Sequence, residues 1–284
     1  ASYSTATSAV VANLANAASN TGDASGDSYN SIENLTGSDY ADTLTGDGSA
    51  NVLTGGVGDD VLIGGAGGDS LVGGSGTDTA SYSTAAAGVV ANLASAGSNA
   101  GDASGDSYNS IENLTGSDYA DTLTGDGSAN RIDGGAGDDV LVGGGGGDTL
   151  VGGQGNDTYI VRSASDVVTE DSNAGSDLVQ VADTTVGGTV TLADNVENAT
   201  LINSVAYNLT GNALANALAG NGQANVLDGG GGGDTLSGGG GNDTYIVRSA
   251  SDVISESANA GTDLVQVADT TVGGTYTLGV NVEN

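Results

Sequence analysis

The sequence predicts an all-β chain wound as a parallel β-roll, a β-solenoid of short repeats. Three observations predict it. A nine-residue motif, G-G-x-G-x-D-x-U-x with U a large apolar residue, recurs at a fixed period in three blocks. Segments between the blocks alternate in the two-residue manner of strands, as in GVVANLA (88–94), DLVQVAD (177–183) and GTYTL (274–278). No stretch carries a helical period of useful length.

In chain order, the first block reads GGVGDDVLI from Gly55, GGAGGDSLV from Gly64 and GGSGTDTAS from Gly73. The second reads GGAGDDVLV from Gly134, GGGGGDTLV from Gly143 and GGQGNDTYI from Gly152. The third reads GGGGGDTLS from Gly229 and GGGGNDTYI from Gly238. The same frame runs back through weaker nonads that begin at Gly37, Gly46, Gly116, Gly125, Gly211 and Gly220. Places one to six are expected to turn, because glycine permits left-handed backbone and close approach of carbonyls. Places seven to nine are expected to form a short strand with the eighth residue inward. Those residues are Leu44, Val52 or Leu53, Leu62 and Leu71, then Leu123, Ile132, Leu141 and Leu150. Two nonads make one coil, so the turns alternate between two edges, and sixth residues one coil apart stack about 4.8 Å from each other. The frame also reaches Glu33 and Glu112 at the sixth place, with Leu35 and Leu114 at the eighth, and later Asp166 and Asp252. Linking segments are expected to add strands to one long solenoid, with stretches such as GSNAGDASGDS (97–107) as protruding loops.

Longer repeats lie above the nonad. Residues 22–51 recur unchanged at 101–130, and NDTYIVRSASDV at Asn156 returns at Asn242. This divides the chain into a type A unit at 1–79, its second copy at 80–155, a type B unit at 156–241 and a partial second copy at 242–284. The opening ASYSTA is repeated from Ala80 and the closing NVEN matches Asn195–Asn198, so both ends fall within repeats, as expected for a segment of a longer protein.

Composition narrows the function. A net charge of -33, with three arginines and no lysine, excludes nucleic acid and anionic membrane surfaces and favours cations. The absence of Cys and His removes the usual zinc, haem and iron–sulfur ligands, and with them thiol and imidazole catalysis. No H-E-x-x-H or G-x-S-x-G occurs, so no enzyme is expected, and no apolar run is long enough for membrane insertion. The 52 glycines make the backbone costly to order, so the composition leans toward disorder unless something else stabilises the fold.

The stacked acidic residues supply the candidate. Like charges one coil apart repel unless a cation lies between them. Asp42, Asp60 and Asp78 line one edge of the first block, opposite Asn51 and Asp69. The second block sets Asp121, Asp139 and Asp157 opposite Asn130, Asp148 and Asp166. The third sets Asn216, Asp234 and Asp252 opposite Asn225 and Asp243. Side-chain oxygens from adjacent turns, with carbonyls around Gly55, Gly64, Gly73, Gly134, Gly143, Gly152, Gly229 and Gly238, suit the six to eight hard oxygens calcium prefers. Adjacent pairs allow about ten ions at most. Asp23, Asp27, Asp102 and Asp106 in the loops stand as either further ligands or solvated turn residues.

These motifs resemble the RTX, or haemolysin-type calcium-binding, family of bacterial exported proteins. The resemblance implies a calcium-bound β-roll and secretion, commonly through a type I system, hence an extracellular or cell-surface location. GDGSANVLT, GDGSANRID and GNALANALA depart from the motif, with Asn sixth and fewer glycines, which implies weak or empty sites there. The expected function is a calcium-binding structural array that folds on binding calcium and self-associates into a filament, surface layer or adhesin stalk. Two alternatives are a folding and export module of a toxin or hydrolase, and a ligand-binding adhesin region.

Overall fold

The computed structural model describes residues 1–183, 187–258, 260–268 and 276–282. Two compact units, Ala1–Gly153 and Gln154–Asn284, are each a parallel β-solenoid. Among the described residues, helix is confined to four 3-10 turns of three residues each, all in the loops at 17–24 and 96–103. Those loops fold back on the preceding strand through isolated antiparallel bridges, Val11 with Thr21 and Val90 with Ala100.

In the first unit the nonad strands start at place seven; most end at place nine, and Val52–Val57 and Ser70–Ser75 run on into the next nonad. Thr43–Thr45, Val61–Ile63 and Thr79–Ser81 stack in parallel on one face. Asn34–Thr36, Val52–Val57 and Ser70–Ser75 stack on another. Register follows the coil: Leu44 faces Leu62, and Leu53 faces Leu71. The 88–94 segment supplies Val90–Asn92, which pairs with Thr122–Thr124. In the second unit, Thr158–Val161, Leu178–Val181, Asn198–Leu201, Ala217–Ala219, Thr235–Ser237 and Val253–Ile254 stack in sequence order. Beside them run Thr189–Thr191, Asn208–Thr210, Val226–Asp228, Thr244–Val247 and Leu264–Val267. Of the GTYTL stretch, 274 and 275 lie outside the described residues, and Tyr276–Leu278 form no strand.

The interior is a ladder of eighth residues. Leu44, Leu53, Leu62, Leu123, Ile132, Leu141 and Leu150 are fully buried. Val52 is 41 % exposed, so Leu53 is the inward residue of its nonad. Alternation decides this: a strand of three residues can turn only its middle side chain inward. Tyr159 and Tyr245 enter the ladder as its largest members and are fully buried, while Tyr207 is buried just outside the strand Asn208–Thr210.

The ladder makes a stability prediction. Leu53→Ala should cost about 2–5 kcal/mol through the cavity it leaves. Val52→Ala should fall within about 0.5 kcal/mol of the parent. Urea unfolding of the folded, calcium-saturated chain compares them, and equal losses would contradict the inward assignment of Leu53.

Candidate metal-binding turns

Each nonad turn brings its sixth residue under the strands and buries it. Asp42, Asn51, Asp60, Asp69, Asp78, Asp121, Asn130, Asp139, Asp148, Asp157, Asn216, Asn225, Asp234, Asp243 and Asp252 are all buried. The columns expected from the sequence are present and are joined by a specific bond. The amide of Asp42 donates to Oδ1 of Asp60 at 2.8 Å, and that of Asp60 to Oδ1 of Asp78 at 2.8 Å. On the other edge Asn51 donates to Asp69 at 2.7 Å, and Asp69 to Asp106 at 2.8 Å. The second block repeats this from Asp121 to Asp139 and from Asn130 to Asp148. The third repeats it from Asn216 to Asp234, Asp234 to Asp252, and Asn225 to Asp243. One oxygen of each acceptor is thereby committed to the neighbouring coil.

What happens to the second oxygen depends on the second residue of the turn. Where that residue carries a side chain, the turn closes on itself. Ser38 N–H donates to Oδ2 of Asp42 at 2.5 Å, and Ser117 does the same for Asp121. Asp47, Asp126, Asn212 and Asn221 likewise donate to Oδ1 of Asn51, Asn130, Asn216 and Asn225. Asp166 and Asp252 are closed by Arg162 and Ser163, and by Arg248 and Ser249. At Gly56, Gly65, Gly74, Gly230 and Gly239 the second-place backbone has positive φ, 124° at Gly56, and the closing bond is not made. Oδ2 of Asp60, Asp69, Asp78, Asp234 and Asp243 is buried without a hydrogen bond. Such an atom is costly unless an unrepresented partner meets it.

The surroundings of that oxygen are other oxygens. A Cβ added at Gly55 or Gly64 would collide with Oδ2 of Asp60 or Asp69. A Cβ at Gly56 would meet the carbonyl of Ser38 one coil back, and one at Gly74 the carbonyl of Gly56. Glycine is thus required where carboxylate and carbonyl oxygens crowd together, a donor set of hard oxygens that fits calcium. The residues present fit the ion at the GGxGxD turns. At the Asn turns the fit differs, because the side-chain amide spans the coils. Nδ2 of Asn51 donates to the Glu33 carbonyl at 3.0 Å, that of Asn130 to Glu112 at 2.7 Å, and that of Asn225 to Tyr207 at 2.7 Å.

Three further carboxylates join the columns: Glu112, which the frame places sixth, and Asp106 and Asp177, where the frame breaks. Asp106 is buried, accepts the Asp69 amide, and also accepts the Tyr82 hydroxyl at 2.8 Å. Asp102 is half-buried, and Asp23 and Asp27 are exposed. Glu112 accepts the Asp78 amide at 2.8 Å, whereas Glu33 is exposed. Asp177 accepts the Asp157 amide at 2.8 Å. Asp106 and Asp177 stand 37 and 20 residues from their donors, so a strict coil-length count misses them. Carboxylate oxygens also converge within 4.8 Å in two groups, Asp157 with Glu170 and Asp177, and Asp243 with Glu256 and Asp263. Of these six, the nonad frame identifies Asp157 and Asp243 alone.

Without an ion the open carboxylates are strained electrostatically. Burial pushes Asp60, Asp69, Asp234 and Asp243 up to about 6, against the lowering effect of the amide each accepts, and neighbouring acids add to the rise. Asp78 is raised for the same first reason. Burial pushes Glu170 up to about 7 despite the hydroxyl of Tyr159 and the amide of Asp171. The folded chain therefore binds protons more tightly than the unfolded one, whose aspartates titrate near 3.8. Ion-free stability is greatest below that value and is lost as pH rises to about 6. In chelator, far-UV circular dichroism should show more folded chain at pH 4 than at pH 7. Saturating calcium should remove that preference by competing with the protons. Greater ion-free folding at pH 7 would contradict the assignment.

A family model described as the RTX calcium-binding nonapeptide repeat (4 copies) matches residues 29–62, 45–80, 108–141, 125–159, 133–168 and 210–245. No significant match was found among curated proteins.

Proposed function

This chain belongs to the family of RTX calcium-binding nonapeptide repeats, and from that premise we propose that calcium is its folding switch, held by the open GGxGxD turns. The carrying observation is the buried Oδ2 of Asp60, Asp69, Asp78 and Asp234, which has no hydrogen bond within the protein. Asp139 and Asp148 occupy the same place in the same motif and complete the ligand set. Bound calcium supplies positive charge to the crowded oxygens. The protein's part is to hold those oxygens still: the amide ladder fixes Oδ1, and glycine at the first two places leaves room for carbonyls.

In this reading the Asn turns are ion-free staples, in which a neutral amide replaces the cation between coils. That reduces the ion count below the ten allowed by pairing alone. Ion-free, the chain is expanded, because glycine-rich backbone and buried like charges oppose folding. Affinities of the order seen in extracellular calcium-binding modules, about 10⁻⁴–10⁻³ M, would keep it open inside a cell and close it outside. This supports secretion and an extracellular structural role, and assigns the chain no catalytic step. The near-identical long repeats support self-association into a filament, surface layer or stalk.

Calcium titration of the purified chain, followed by far-UV circular dichroism, should show cooperative gain of β-structure in the millimolar range. A fully folded chain in chelator at pH 7 would sink the reading. Light scattering in millimolar calcium tests self-association, and a strictly monomeric chain would remove that part alone. Asn216→Asp should destabilise the calcium-saturated chain by about 1–3 kcal/mol, since Nδ2 no longer donates to the Val196 carbonyl. An unchanged unfolding midpoint would contradict the staple.

A further inference from the structure

We propose that Asp157, Glu170 and Asp177, and their counterparts Asp243, Glu256 and Asp263, form two calcium sites of a different kind from the glycine-rich turns. The ion's identity rests on the calcium reading above; the location of the sites does not.

In each group one carboxylate oxygen per residue lies within 4.8 Å of the others. The Asp157, Glu170 and Asp177 side chains are all buried, and in the second group only Glu256 is half-buried. An independent observation marks the second group as incomplete. Asp243 is 1 % exposed and its Oδ2 makes no hydrogen bond. Its neighbour cannot relieve it by moving in, because Oδ1 of Asp263 is held by the Asp243 amide at 2.9 Å.

The backbone explains how a glutamate reaches this place. Here the coil is longer than the nonad pair: the acceptor lies 20 residues beyond its donor, against 18 in the blocks. The added length lays an excursion over the last GGxGxD turn. Gly155 N–H donates to the Ala174 carbonyl at 2.8 Å, and Gly241 N–H to that of Ala260 at 2.8 Å. Gly175 and Gly261 pass so close to the Gly155 and Gly241 carbonyls that no Cβ fits. Glutamate precedes each glycine by five residues, on the rising limb of the excursion. Its side chain thus stands where another glycine-rich turn would otherwise have offered carbonyls.

The chemistry differs accordingly. An open nonad turn offers carboxylate oxygen among neutral carbonyls, whereas these groups set three formal charges around one point. Calcium affinity rises with the number of charged ligands, so these sites should fill before the nonads. Magnesium is disfavoured, since it retains its waters and demands a tighter octahedron than flexible carboxylates enforce. Each site also closes a block, binding the last repeat turn to the linking coil that follows.

The test uses the full chain and two readouts, calcium bound per chain at equilibrium dialysis and terbium emission excited through tyrosine. Tyr159 lies against Glu170 and so reports on the first site. The Glu170→Gln/Glu256→Gln double variant should fold in saturating calcium, bind two ions fewer, and lose the earliest phase of terbium emission. Each single variant should lose one ion. Asp60→Asn, in a nonad turn, should leave that early phase intact. An unchanged ion count and emission in the double variant would overturn the proposal while leaving the nonad reading standing. A parent chain that binds no calcium would overturn both. If the glutamine pair does not fold, the Glu170→Asp/Glu256→Asp pair decides. Tenfold or weaker binding in the tightest class supports the sites; an unaltered titration overturns them.

Discussion

Successive coils meet at their sixth residues, where the amide of Asp42 reaches the carboxylate of Asp60 and the amide of Asp60 reaches that of Asp78. This contact sets the coil spacing, the register of the strands on either side and the burial of the acids. It also imposes the central difficulty of the fold. Holding a carboxylate by one oxygen in a dry stack leaves the other buried against the first glycine of its own turn. An isolated buried carboxylate is expensive, and a column of them more so. Everything distinctive about the turns concerns the fate of that second oxygen.

The chain disposes of it in three ways. Ser38 and Ser117 close their turns with a backbone amide, so Asp42 and Asp121 are satisfied within their own loops. Asparagine substitutes a donor for the charge, so that Asn51, Asn130 and Asn225 bond upward to a carbonyl instead of repelling it. Glycine at the second place does neither, and Oδ2 of Asp60, Asp69 and Asp78 stays buried without a hydrogen bond. Within the first block the order along the chain is closed, then open: Asp42 and Asn51 precede Asp60, Asp69 and Asp78. Asn216 and Asn225 precede Asp234 and Asp243 in the same way. Self-sufficient turns thus stand at the head of each run of turns whose second oxygen is open.

This arrangement gives the composition a physical meaning. The net charge of -33 and the 52 glycines both disfavour folding, yet each is needed where oxygens converge. The apolar ladder of Leu44, Leu53, Leu62 and Leu71 is narrow, one side chain per strand, and supplies direction more than stability. In the function proposed above, order is coupled to the ion, because the groups proposed to bind it are the groups that otherwise oppose the fold.

Much of this was determined by the sequence alone. The nonad period fixes which residues turn, which extend and which stack, and alternation within a three-residue strand selects Leu62 over Val61 for the interior. The acidic columns follow from the same count. The tertiary structure decided what a count cannot. It showed that Oδ1 is already taken by the adjacent coil, and that Leu53 rather than Val52 points inward. It also brought in Asp106, Glu170, Asp177, Glu256 and Asp263, which lie across coils of irregular length. A period predicts neighbours only while the coil length is constant. Where a loop lengthens the coil, backbone hydrogen bonds alone determine which carboxylate comes to rest on the stack.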